Sequence, residues 1–216
     1  MYKTIKFNDM ILADIDNFQE VPPCNIAKIT LPYSIENPLL AIKNGFVFAD
    51  RTILTTIQVS KAEFNFDKLI RVEIEETTSY KDEIKQIAQK AFIDDRRFYY
   101  DLECKNTQLS NFIIGKWVDE LDQVLVAKYK DVVIGFLALK ETSNDTLFIH
   151  LAATDEKYRL TGVAMSLYAK ALMSAKERGY KKLEGRISTK NLAVMNLYSY
   201  LGAHFENPMD IYIKEF

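Results

Sequence analysis

The chain has 216 residues, 48% of them apolar and 27% charged, with 28 basic side chains against 30 acidic ones. That size suits one large or two small globular domains, and the near-zero charge gives no global field for nucleic acid or an anionic membrane. The opening run MYKTIKFNDMILADIDNF carries a charge every few residues, unlike a signal peptide, and no apolar run reaches the ~18 residues of a membrane span, so a cytoplasmic protein is expected. Cys24 and Cys104 lack the paired spacing of a zinc or redox site; reduced thiols and no metal are expected.

Three of the five prolines (Pro22, Pro23, Pro32) fall before position 33, with strand-like NIAKITL between them. After Pro38, LLAIKNGFVFADRTILTTIQVS has Gly45-x-x-Phe48 leading into an alternating run, and Gly202-x-x-Phe205 leads into MDIYIKEF in the same way. This echo, with the shift in composition, predicts a small N-terminal unit over 1–68, separate from 69–216. Residues 69–76 alternate as a strand. Residues 77–92 then place Ile84, Ile87, Ala88, Ala91 and Phe92 on one helical stripe, with Thr78 or Ser79 as N-cap. A second helix starts at Thr107, with a stripe of Leu109, Phe112, Ile113 and Trp117.

Residues 124–154 read as three strands broken at Lys130-Asp131 and Ser143-Asn144-Asp145; such short breaks imply antiparallel neighbours. From Val163 the apolar positions 163, 164, 167, 168, 171, 172 and 175 follow helical spacing, and Gly179 is placed to end the helix. Strand 181–188, helix 191–201 ended by Gly202, and a final strand over MDIYIKEF complete the chain. The helix between those last two strands predicts a crossover and a parallel pair. The fold class is α/β with a mixed, mostly antiparallel twisted sheet.

Where strand 147–154 opens into the long helix stands RLTGVA. The first amides of a helix have no partner inside it and lie at the positive end of its dipole, so they suit a phosphate, and Gly162 removes the Cβ that would obstruct one. Arg159 adds a positive charge, Thr161 a hydroxyl, and Ala164 a small first turn. Read by itself, the same pattern also describes an ordinary turn beside a solvated arginine.

Arg159, Gly162 and Ala164 in R-x-x-G-x-A resemble the acyl-CoA pyrophosphate loop of the GNAT superfamily of N-acetyltransferases, Q/R-x-x-G-x-G/A. Downstream, NLAVMNLYSYLGAHF resembles that superfamily's N-x-x-A-x-x-L-Y-x-x-x-G-F, with Asn191, Leu197, Tyr198 and Gly202 in register. Val194, Ala203 and Leu160 depart from the usual alanine, phenylalanine and second glycine. The resemblance covers about 70–216, and it implies a GNAT fold with a partial GNAT-like unit before it.

It further implies acetyl-CoA as co-substrate, held by Arg159, Leu160, Thr161, Gly162, Val163 and Ala164. Strand 147–154 is expected to splay from 182–187, its backbone at Leu151, Ala152 and Ala153 taking the pantetheine arm and the thioester oxygen. Tyr198 would protonate the departing thiolate, or is simply core. Asn191 either bonds the pantetheine or caps its helix. His150 and Glu184 flank the thioester, with His150 read more readily as structural than as a base.

The segment RRFYYDLECKNTQLSNFIIGKWVDE is similar to one in sugar-nucleotide acetyltransferases related to TDP-fucosamine acetyltransferase. There Arg96, Arg97, Phe98 and Tyr99 would bind a nucleotide-sugar's diphosphate and base. In the equally weighted alternative, Asp94 and Asp95 pair with the two arginines. The expected acceptor is a small-molecule amine, with neither nucleic acid nor membrane as a partner and a homodimer allowed. Peptide N-acetylation and a non-catalytic CoA-binding module are the rival readings.

Overall fold

Ten strands build one mixed sheet in the computed structural model, which describes residues 2–62, 72–93, 95, 97 and 106–216. They are β1 (Lys3–Phe7), β2 (Met10–Ile15), β3 (Ile26–Pro32), β4 (Val47–Gln58), β5 (Glu73–Glu76), β6 (Gln123–Tyr129), β7 (Val132–Ser143), β8 (Thr146–Thr154), β9 (Lys182–Ser188) and β10 (His204–Glu215). Their order across the sheet is β1-β2-β3-β10-β4-β9-β8-β7-β6-β5. Among the described strands only β2–β3 and β8–β9 are parallel neighbours.

Among the described residues five helices cover the sheet: α1 (Asn37–Lys43), α2 (Lys81–Ala91), α3 (Thr107–Asp119), α4 (Val163–Glu177) and α5 (Leu192–Tyr200). Side chains alternate between faces along a strand, so the core divides in two. On one face, Ile84 and Ile87 of α2 and Ile113 and Ile114 of α3 pack with Val126, Phe136, Ala138 and Leu151. On the other, Leu167, Tyr168 and Leu172 of α4 and Tyr198 of α5 pack with Leu137, Leu139, Ile149 and Leu183. Each fully buried large apolar side chain contributes about 1.5–3 kcal/mol. Helix α1 lies on the α4–α5 side, because Ala27 and Ile29 pack with its Ala41 while Ile26 points to the α2–α3 cluster.

The helix at 163–177 and the three strands of 123–154 stand where hydrophobic spacing and polar breaks put them. Other expectations change. Strands β9 and β10 do run parallel, yet β4 lies between them and bonds to both, so the crossover spans an intervening strand. Strands from before position 68 and after position 69 therefore share one sheet. The start of α2 carries no side-chain cap: Tyr80 precedes it at a left-handed φ of 61°, and the Thr77 hydroxyl accepts the Ser79 amide instead. The structure adds a hairpin, β1–β2, with Asn8, at φ 52°, at the turn between two short apolar-polar runs.

Candidate active site

The parallel pairing of β8 with β9 runs from Thr146 opposite Lys182 to Ile149 opposite Gly185 and ends there. Beyond it, β8 stays paired to β7 through Thr154 and β9 to β4 through Ser188, so the two strands diverge with their facing edges unpaired. A bulge helps: Leu139 pairs with Ile149 and Ala138 with Leu151, which leaves His150 as the extra residue. Leu151, Ala152 and Ala153 line one side of this opening, with Leu151 buried and the two alanines partly exposed.

At the closed end stands Tyr198. It is the one buried residue of α5, with 0% exposure, and its hydroxyl has no hydrogen-bond partner among the described residues. Burial pushes the phenol above its ordinary pKa, against a smaller lowering by the nearby hydroxyls of Thr55 and Tyr168. The ring packs edge-on against Tyr168, centroids 5.2 Å apart. A Cβ on Gly185 would lie 2.3 Å from the Tyr198 hydroxyl oxygen and 3.5 Å from the Ile149 Cβ. The glycine is thus what allows the phenol to reach the point where the strands separate, and nothing in its local sequence marks it.

At the open end, β8 leads through a 3-10 turn (Glu156–Tyr158) into α4. Gly162 precedes the helix at φ 93°, and no side chain caps it, so the first amides, those of Val163, Ala164 and Met165, have no bond within the helix. Arg159 is exposed. The Thr161 hydroxyl donates to the Tyr158 carbonyl and so braces the loop. Leu160 has a left-handed φ of 63° and a fully exposed side chain. For a leucine that backbone costs about 1–2 kcal/mol, which shows what a second glycine would have spared.

The remaining site residues divide. Asn191 caps α5, its side-chain oxygen accepting the Val194 amide. His150 stacks on Trp117 of α3, centroids 5.4 Å apart, and burial lowers its pKa, so it is neutral at pH 7. Glu184 accepts weakly from the Thr56 hydroxyl at 3.4 Å. Arg97 is committed to carboxylates: it forms a fork with Asp95 and lies 3.9 Å from Asp50, a buried side chain that also accepts from Ser188 at 2.9 Å. Burial raises the Asp50 pKa. For Arg97 the structure thus shows the ion pairing with Asp95. Asp94, Arg96, Phe98, Tyr99, Tyr100 and Cys104 lie outside the described residues.

A family model described as the acetyltransferase (GNAT) family matches residues 81–203, more than half of the chain. This chain belongs to the GNAT acetyltransferase family. No curated protein matches it. Among solved structures it is similar to a functionally unknown conserved protein from Staphylococcus epidermidis (TM-score 0.63, 14% identity, 89% of this chain and 73% of that one). It is also similar to a GCN5-related N-acetyltransferase from Sphaerobacter thermophilus (0.56, 17%, 88% and 59%). A putative GNAT acetyltransferase from Novosphingobium aromaticivorans matches comparably (0.58, 14%, 88% and 74%). These identities speak for the fold alone, and the chain spans only 59% of the Sphaerobacter protein.

GNAT proteins use acetyl-CoA, and the residues here fit it. Uncapped amides stand at the open end, unpaired strand edge in the middle and an orphaned phenol at the closed end. Among the described residues no three His, Cys, Asp or Glu side chains gather as a metal site, and no helix is long and apolar enough to cross a membrane.

Proposed function

We propose that this GNAT protein transfers the acetyl group of acetyl-CoA to the primary amine of a small molecule by direct attack within a ternary complex. One observation carries the reading: the Tyr198 hydroxyl, buried without a hydrogen bond to the described residues, lies against Gly185, where the pairing of β8 with β9 ends, and β8 runs on from there toward the uncapped start of α4. A buried hydroxyl without a partner costs about 1–3 kcal/mol, a cost that a ligand at the strand junction would offset.

In this reading the Gly162–Met165 amides and Arg159 hold the pyrophosphate. The unpaired edge of β8 at Leu151, Ala152 and Ala153 takes the pantetheine and supplies an amide to the thioester oxygen as negative charge grows there. The acceptor's nitrogen forms the new C–N bond, the C–S bond breaks, Tyr198 gives its proton to the leaving thiolate, and the proton that the amine loses to solvent is matched by one that returns to Tyr198. Burial makes this transfer more uphill than for a free phenol and keeps Tyr198 protonated until the thiolate is formed. Asn191 acts by capping the helix that carries Tyr198.

An amino-sugar nucleotide is the acceptor class suggested by the segment from Arg96 onward, although the commitment of Arg97 to Asp95 argues against that side chain as the phosphate contact. The test is calorimetry with acetyl-CoA, followed by thiol release with a panel of amino-sugar nucleotides, simple amines and peptides. Binding, with release only when a small amine is present, is the expected result. Absence of heat at millimolar acetyl-CoA overturns the donor site. Binding without release leaves a CoA-binding module, and release with peptides alone replaces the acceptor class.

A further inference from the structure

Helix α1 is built inside out. Its buried residue is Ala41, while Leu39, Leu40 and Ile42 are 64%, 43% and 70% exposed. An amphipathic surface helix does the reverse, turning its large apolar side chains to the core. Ile35 just before the helix is 84% exposed; Tyr33 and Phe48 are 49% and 45%. Phe48 lies on the same sheet face as α1, its ring edge-on to Tyr212, which packs in one cluster with Ala41. Taking about 200 Å² for a fully exposed large side chain, these six leave roughly 700 Å² open to water. That sum approaches the ~800 Å² per partner of a stable interface.

We infer that this face is where a second copy of the chain docks, α1 against α1 across a two-fold axis. The charges at the helix ends favour this occupant. Exposed Glu36 precedes the first turn and exposed Lys43 ends the last, about 10 Å apart along the axis. At 100° per residue, both project with Leu39 and Ile42 from the half of the helix opposite Ala41. Two antiparallel copies bring Glu36 over the partner subunit's Lys43 and the reverse, enclosing the aliphatic residues between two ion pairs and opposing the helix dipoles. A two-fold axis requires such a self-complementary patch.

The measurement is sedimentation equilibrium of the full chain from 1 to 100 µM. The wild type is expected to sediment at twice the chain mass, and Ile42→Asp to weaken association at least ~30-fold. Glu36→Lys alone should weaken it, and Glu36→Lys combined with Lys43→Glu should restore it, which only the antiparallel pairing predicts. All these positions are exposed, so circular dichroism should be unchanged. A monomeric wild type at 100 µM overturns the inference, as does a dimer indifferent to Ile42→Asp or a double variant that stays as weak as Glu36→Lys. Binding of a monomer to phosphatidylcholine vesicles would also overturn it, assigning the patch to a lipid surface.

Discussion

Residues 3–58 and 132–215 thread the sheet in the same way. Each begins with an antiparallel pair (β1–β2, β7–β8), adds a parallel strand (β3, β9), crosses through a short helix (α1, α5) and returns as a long strand (β4, β10). The halves interlock symmetrically, β10 pairing with β3 and β4 with β9, and β4 with β10 at the centre. Gly45 and Gly202 end the two helices at nearly equal left-handed φ, 76° and 72°. We read the first half as a degenerate copy of the second that kept the sheet and lost the donor site.

The loss is legible in two places. Between β8 and β9 the chain spends residues 155–181 on the loop proposed to hold the pyrophosphate and on α4; between β2 and β3 it has only residues 16–25, whose Phe18, Val21 and Cys24 pack against the core. Counting back from the paired glycines, Ala41 corresponds to Tyr198, and the strand register makes Ile29 the counterpart of Gly185. A small helix residue over a large strand residue fills one half. A phenol over a glycine fills the other, with similar volume but one unsatisfied hydroxyl.

The sharpest way to break this comparison is to remove that hydroxyl. Tyr198→Phe should lower kcat by about 100-fold or more, the usual worth of general acid catalysis, while acetyl-CoA binding persists. Because the hydroxyl is buried without a partner, stability should hold or rise by up to about 1 kcal/mol. Gly185→Ala forces a Cβ onto the same oxygen and should cost about 1–3 kcal/mol, partly recovered in the Tyr198→Phe background. Chemical denaturation of the four proteins gives the cycle. Equal losses from Gly185→Ala in both backgrounds would deny the contact.

Next in size is the helix start. Gly162→Val adds a Cβ to the cradle at a φ of 93° and should weaken acetyl-CoA about tenfold or more with less effect on kcat. Calorimetry on the wild type should give one acetyl-CoA per chain. Two equivalent sites would mean that the first half retains a donor site.

How much of this could be read from residues alone depends on where the information lies. The α4 stripe, the breaks at Lys130-Asp131 and Ser143-Asn144-Asp145, and the glycines ending α1 and α5 act locally, and local spacing shows them. The insertion of β4 between β9 and β10 is a pairing across more than a hundred residues, which periodicity does not encode. Gly185 looked like any strand glycine because its reason, the phenol of Tyr198, comes from another element. The sequence marks Leu160 only as a departure from the usual second glycine; its left-handed φ of 63° makes it a strained position. The fit of Arg97 to Asp95 was one of two open readings, and composition could not decide between them.

The smallest expected effect is at His150, which the bulge turns toward Trp117 on the α3 side. Burial holds its pKa below the ordinary 6.5, with Lys140 adding a smaller push in the same direction and Glu120 opposing. The unfolded chain therefore binds this proton more readily than the folded one. The contribution to stability is complete above about pH 6.5 and declines as pH falls toward the folded-state value, by at most about 1.4 kcal/mol per unit of depression. Denaturation of the wild type and of His150→Phe, which keeps a ring on Trp117, should give curves that diverge below pH 6.5, the wild type losing more. Parallel curves would show that the imidazole is equally free to ionise in both states. A shift of the acid limb of kcat/KM in the variant would instead assign His150 the amine's proton.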